Sequence, residues 1–136
     1  ILFKLGLGNR VVGVDRYSDY PPEVPKLIKE GVIKVIGGYW DPNLEEIVDL
    51  KPDLVIADLG ADYKYLSKFE ELNLNVLYVK GGKASSLNGI YHDILLIGEA
   101  FNVTNRAYEL VSSIKSTVNQ IRDTLIKSNA SSRKVL

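Results

Sequence analysis

Cysteine is absent from this chain of 136 residues. That excludes disulfides, thiol catalysis and cysteine-ligated metals, and suits either side of a membrane. Histidine occurs once, at His92. A single imidazole does not make a zinc site, and no cluster of His, Asp or Glu has ligand spacing. Net charge is missing too: seventeen Lys and Arg balance seventeen Asp and Glu. Bulk electrostatics therefore favour neither a nucleic-acid backbone nor an anionic membrane as partner. The sequence contains no signal peptide, no apolar run long enough to span a bilayer, no internal repeat and no low-complexity tract. No methionine opens it, and Ile1 falls inside a helix-like run, ILFKLG, while Arg133 to Leu136 read as the opening of a strand. The expectation is a piece of a longer protein, so the missing signal says nothing about location.

What is present is enough apolar material, 46% of residues, to build the core of one compact domain. The stretch GGYWDPNLEEIVDLKPDLVIAD, residues 37–58, is the richest. It joins two exposed aromatics, an acidic helix start and an apolar strand. Asn43 is placed to cap a helix, Glu46 to reach back to that cap, and Glu45 and Glu46 suit the positive end of the helix dipole. Leu44, Ile47 and Val48 form its apolar face. Lys51, Pro52 and Asp53 stop it, because proline cannot donate a backbone hydrogen bond and pushes its predecessor out of helical geometry. Leu54 to Ala57 then read as a strand covered on both faces.

Elsewhere the pattern predicts a strand at 10–14 after the LGLGN turn, a three-proline loop at 18–25 and an extended piece at 32–36. A helix over 62–72, a strand over 75–79 and a helix over 86–102 follow. Asn102 is the expected stop of that last helix, and Thr104 or Asn105 the next cap. From there to Lys127 no proline or glycine intervenes, and Ala107, Val111, Ile114, Val118, Ile121 and Leu125 recur at alternating spacings of four and three. This is one long amphipathic helix, roughly 35 Å at ~1.5 Å per residue, more useful as a strut between two bodies than as a coiled-coil seam. Short strands alternating with helices predict an α/β layer structure with a mainly parallel sheet.

Candidate functional residues sit in loops beside strand ends, where open α/β sheets place ligands. Tyr17, Tyr20, Tyr39 and Trp40 can clamp a large flat molecule by stacking; alternatively Tyr20 and one of Tyr39 or Trp40 simply close loops over the core. Arg16 suits an anionic ligand or a solvated loop. Glu45 is ordinary helix-dipole chemistry that leaves its carboxylate exposed. His92 reads as a surface or packed residue, and Asn102-Val-Thr and Asn129-Ala-Ser are chance-level glycosylation acceptors. No catalytic set emerges. LGLGNR is not a phosphate loop, because its glycines precede a strand instead of following one and opening a helix.

LGLGNRVVGV, YSDYPPEV, the GG before PNLEEIVDLKPDLVIA, and IGEAFN opening into the long helix occur here in order. In that order they resemble the N-terminal lobe of the class III periplasmic binding proteins, which deliver cobalamin, ferric siderophores or haem to ABC importers. YSDYPP with NLEEIVDLKPDLVIA looks most like the cobalamin branch. The resemblance implies a Rossmann-like α/β lobe with a mainly parallel sheet flanked by helices, followed by one long C-terminal helix. It divides the chain into a lobe at 1–103 lacking its first strand, an interlobe helix at 104–130, and the start of a second lobe at 131–136.

By the same resemblance Tyr17 faces a bound corrinoid, and Tyr39 takes the tryptophan-type position of the next loop, with Trp40 one residue away. Glu45 takes the place of a glutamate that engages arginines of the membrane permease. The implied function is non-enzymatic capture of a metal-containing solute outside the cytoplasmic membrane, with no cofactor beyond that ligand and with the permease as partner. Cobalamin leads, and a ferric siderophore or haem is the alternative. An intracellular α/β nucleotide-binding enzyme and a helix-mediated interaction module are the competing classes. Taken alone, the piece is expected to bind ligand poorly and to self-associate.

Overall fold

The computed structural model describes residues 1–60 and 63–128. The chain divides into two compact units, Ile1–Asp93 and Ile94–Leu136. The first holds four short strands, β1 (Gly13–Val14), β2 (Lys34–Val35), β3 (Val55–Asp58) and β4 (Val76–Val79), and three short helices, α1 (Glu23–Lys29), α2 (Leu44–Asp49) and α3 (Leu66–Glu71). A longer helix, α4 (Leu87–Ala100), crosses the division, and α5 (Thr104–Lys127) follows in the second unit. The class is α/β with parallel pairing, as the alternation of elements implies.

Pairing among the described residues runs in two parallel ladders instead of one continuous sheet. β1 pairs with β2 through Gly13 and Lys34 and through Val14 and Val35; β3 pairs with β4 from Val55 and Val76 to Asp58 and Val79. Parallel ladders need crossovers, and α1 and α3 supply them. The core of the second ladder gathers Ile47 of α2, Ala57 of β3 and Phe69 of α3, with Ile36, Leu44, Val55, Tyr65, Leu74, Val76 and Tyr78 packed around them.

Helix ends explain why the elements are short. Gly31, Asn73 and Asn102 adopt left-handed backbone, with φ of 76°, 52° and 55°. The next amide in each case bonds back across the end of the helix: Val32 N to Leu27 O at 2.9 Å, Leu74 N to Phe69 O at 3.0 Å, Val103 N to Gly98 O at 2.7 Å. These are Schellman closures, which satisfy carbonyls that the helix leaves open. Asn102 is thus the stop expected from the sequence. Lys51 (φ 47°) followed by Pro52 ends α2 in the same region of backbone space.

Several expectations need correcting. The strand expected over 10–14 is only Gly13–Val14, because Gly8–Arg10 forms a tight 3-10 turn, with Val11 N bonded to Gly8 O at 3.2 Å. A Cβ on Gly8 would sit 2.7 Å from the Phe3 ring, so the turn packs flat against that ring. The opening ILFKLG is a 3-10 helix, Leu2–Leu5. The region taken as a proline-restricted loop contains the start of α1. Pro25 is its third residue, where the missing N–H has no intrahelical partner to lose.

The helix expected over 62–72 is a 3-10 turn, Tyr63–Tyr65, running into α3, and position 62 lies outside the described residues. Neither Thr104 nor Asn105 caps α5: the N-cap is Val103, without a side-chain bond. The strand start at 133–136 and the Asn129 acceptor also lie outside the described residues.

Within the second unit α4 and α5 touch closely. A Cβ on Gly98 would collide with the Cβ of Ala107, which is fully buried. The apolar stripe of α5 is buried at Ala107 and Val111 but open at Val118, Ile121 and Leu125.

The α2 cap is as the sequence predicts on one side only. Asn43 Oδ1 accepts from Glu45 N at 3.1 Å and from Glu46 N at 3.3 Å. Its own N–H is already taken by Ile36 O at 2.8 Å, so Glu46 is not needed to reach back. In the full-length protein, Asn43→Ala is expected to cost about 0.5–2 kcal/mol and Asn43→Asp far less. Denaturant midpoints at constant m-value check this; equal midpoints for Asn43→Ala and wild type would remove the cap from the fold's support.

Candidate functional site

Four loops leave the carboxyl ends of β1 to β4, the end where parallel α/β sheets place ligands. The first loop is shaped by Asp15. Its Oδ1 accepts from Tyr17 N at 2.7 Å and its Oδ2 from the Ser18 hydroxyl at 2.8 Å. This turn leaves Tyr17 68% exposed and Tyr20 73% exposed. Tyr20 therefore does not close the loop over the core. Arg16 N bonds to Gly37 O at 2.9 Å, tying the first loop to the second.

The second loop is a turn whose glycines are required by close backbone. Gly37 has φ 99°, and a Cβ there would lie 2.6 Å from Asp41 O and 2.7 Å from Asn43 N. Gly37 bridges Pro42 in antiparallel fashion, and Gly38 N bonds to Asp41 O at 3.2 Å. Tyr39 and Trp40 are therefore the two residues at the tip. Their rings meet edge to face, with centroids 4.8 Å apart and planes at 84°, an orientation that suits the ring quadrupoles. Tyr39 is half-buried, whereas Trp40 is 61% exposed. Among the described residues Tyr17 makes no ring contact with either.

Arg16 Nη2 stands 3.8 Å from Asp41 Oδ2, and both side chains are largely exposed. Such a pair contributes at most ~1 kcal/mol and lets the guanidinium re-aim toward another anion.

Sequence reasoning missed the third and fourth loops, which are joined through Asp58 at the end of β3. Asp58 Oδ1 accepts from Gly60 N at 2.5 Å, and Oδ2 accepts from Gly82 N at 2.7 Å. From the other side Asp93, buried in α4, accepts from Lys80 N and Gly81 N, each at 3.0 Å. Two carboxylates thus hold three consecutive amides, Lys80 to Gly82. A side chain at Gly81 (φ 45°) would strike the Asp58 carboxylate, and one at Gly82 would come within 3.1 Å of the Tyr39 hydroxyl. Tyr65 donates its hydroxyl to Trp40 O at 3.4 Å, linking the second loop to the third. The readable signals were the Asp-x-Gly at 58–60 and the glycine pair directly after a strand.

Glu45 is exposed in the first turn of α2, directly after the second loop, its amide bonded to Asn43 Oδ1. His92 is on the surface, its Nδ1 3.7 Å from Asp93 Oδ1. Among the described residues no group of three or more His, Asp or Glu is arranged to hold a metal ion, and no helix is long and apolar enough to cross a membrane. The arrangement offers exposed stacking faces, an exposed guanidinium on the first loop and a glycine turn held by carboxylates, all suited to reversible binding of a broad ligand.

The family model described as "Periplasmic binding protein" matches residues 1–136. The chain is 36% identical over 126 residues to an uncharacterized ABC transporter substrate-binding lipoprotein of Bacillus subtilis, covering 90% of this chain and 37% of that one. It is 38% identical over 79 residues to a vitamin B12-binding protein of Vibrio vulnificus, 57% of this chain and 27% of that one. A periplasmic heme-binding protein of Roseiflexus superposes with a TM-score of 0.78 at 27% identity, covering 93% of this chain and 46% of the other. The chain therefore spans less than half the length of each.

The Asp58 contacts carry a direct expectation. In the full-length protein, Asp58→Ala leaves the part-buried Gly60 amide without its acceptor and hands the exposed Gly82 amide to water, and is expected to cost about 1 kcal/mol. Asp58→Asn, which keeps one acceptor oxygen, is expected to fall between. Thermal melts of the three proteins decide this, and coincident curves would remove Asp58 from the support of these loops.

Proposed function

The chain belongs to the periplasmic binding protein family, and from that premise we propose that it is part of the solute receptor of an ABC importer, capturing a corrinoid such as cobalamin. In this reading residues 1–103 form one lobe, α5 (Thr104–Lys127) is the helix that leads to a second, and the ligand lies against the strand-end loops of the first. No bond is made or broken in capture or hand-over. The receptor works outside the cytoplasmic membrane, which accords with the lipoprotein description of the Bacillus relative.

The observation that carries this reading is the tip of the second loop. Trp40 is large, apolar and 61% exposed, and it is braced edge-on by Tyr39. An exposed ring braced by another at a strand-end loop, with a further exposed ring on the neighbouring loop, supports a surface that a flat ligand covers. Tyr17, on the neighbouring loop, supplies a second exposed ring. The preference for a corrinoid draws on the relative named for vitamin B12. Arg16, paired only at 3.8 Å with an exposed Asp41, favours a second reading in which the ligand bears carboxylates, as a ferric siderophore or haem does.

Titration of the full-length protein with cobalamin, cobinamide, haem and ferric siderophores separates these. Tyr17→Ala and Trp40→Ala are each expected to weaken the bound member by about 1–3 kcal/mol with unchanged melting temperature. Wild-type affinity in both variants would move the ligand off these loops.

Glu45 is assigned in this reading to the contact with the permease, since it is exposed in the first turn of α2. Glu45→Arg is expected to leave solute affinity intact while depressing uptake strongly, because like charges repel across an interface. Normal uptake by that variant would remove Glu45 from the contact.

A further inference from the structure

Sequence patterning aims Val48 at the core, yet it is 38% exposed, and Leu72 at the end of α3 is 40% exposed. With Leu44 they floor a groove of roughly 410 Å³ between α2 and α3. Its edge is acidic: Glu45 and Asp49 stand on the α2 side and Glu71 on the α3 side, against the single cation Lys68. Lys68 is itself drawn to an aromatic face, its Nζ 5.8 Å from the Tyr65 ring centroid. The groove thus combines an apolar floor with uncompensated negative charge around it. That is the complement of a basic segment carrying one bulky apolar residue, and it repels an acidic one.

We infer that this groove is the seat of a basic extracytoplasmic segment of the importer's permease, which inserts one apolar side chain over Leu44, Val48 and Leu72 while its cations meet Glu45, Asp49 and Glu71. The inference rests on the receptor reading above and extends it from a single glutamate to a site with an anchor. An ion pair on an exposed helix gives steering and register but little affinity. A buried apolar anchor supplies the affinity, and the surrounding charges then select which segment enters.

The test uses the full-length protein and the permease reconstituted in nanodiscs, with solute affinity and melting temperature measured in parallel. Val48→Asn with Leu72→Asn is expected to weaken permease binding tenfold or more while keeping its salt dependence. Asp49→Asn with Glu71→Gln is expected to weaken binding and to flatten the salt dependence. Both pairs are expected to hold solute as the wild type does. Wild-type permease affinity in both pairs, beside weakened binding by Glu45→Arg, overturns the groove and leaves the receptor reading standing. Wild-type permease affinity in all three overturns the groove and the Glu45 contact together, whereas the receptor reading falls only if the full-length protein binds none of the solutes titrated above. If the full-length protein dimerises and the apolar pair dissolves the dimer without changing permease binding, the occupant is a second copy and the inference fails. Should the apolar pair not fold, Val48→Ser alone carries the same comparison.

Discussion

Bare backbone has to be held by something, and in this fold carboxylates hold it. The loops after β3 and β4 are built from glycines that bring no side chain to pack, so their amides must find acceptors or remain unpaired at a partly buried strand end. Asp58 and Asp93 provide four acceptor contacts between them, to Gly60, Lys80, Gly81 and Gly82. Asp93 comes from α4 and Asp58 from the end of β3, so one set of bonds ties the turn after β4 to a helix on one side and a strand on the other. The flat glycine wall beside the Tyr39 hydroxyl exists because of them. The Asp58 carboxylate also fills the space a methyl group at Gly81 would occupy, so that glycine and that acid specify one another.

Much of this organisation was legible in the sequence because it is written in local chemistry. Asn43 before two glutamates, the Lys51-Pro52 stop and the Asn102 stop each depend on a few neighbouring residues, and each is found in place. The parallel pairing followed from the alternation of elements. The uninterrupted run behind α5 announced one long helix, described from Thr104 to Lys127, but neither its cap at Val103 nor its C-cap at Ser128 was read from the sequence. Tyr17, Tyr39 and Trp40 were placed in strand-end loops, and the structure adds that Trp40 is the more open of the adjacent pair.

What was not legible depends on contacts between distant residues or on exact position within a turn. Pro25 reads as a helix breaker until its place as the third helical residue is known. Gly8–Arg10 looks like the approach to a strand, but the Phe3 ring lying against Gly8 turns it. Val48 has the spacing of a core residue, yet it is 38% exposed and lines an open groove with Leu44 and Leu72. Asp58 and Asp93 are separated by 35 positions in the sequence, and nothing local announces that both serve the same loop. The site's wall was hidden for the same reason that its aromatics were visible: rings advertise themselves, while amides do not.

The close approach of Gly98 to Ala107 has a mechanical consequence. From Ala107 to Lys127 the axis of α5 extends about 30 Å at ~1.5 Å per residue. Only its first turns are buried, and the remaining stripe is open from Val118 onward. The contact therefore acts as the fulcrum of a long lever: a rotation of about 2° there carries the far end by roughly 1 Å over that length. With glycine against alanine the bearing has almost no side-chain play, so the tolerance of the whole arm is set by the space of a single missing methyl group.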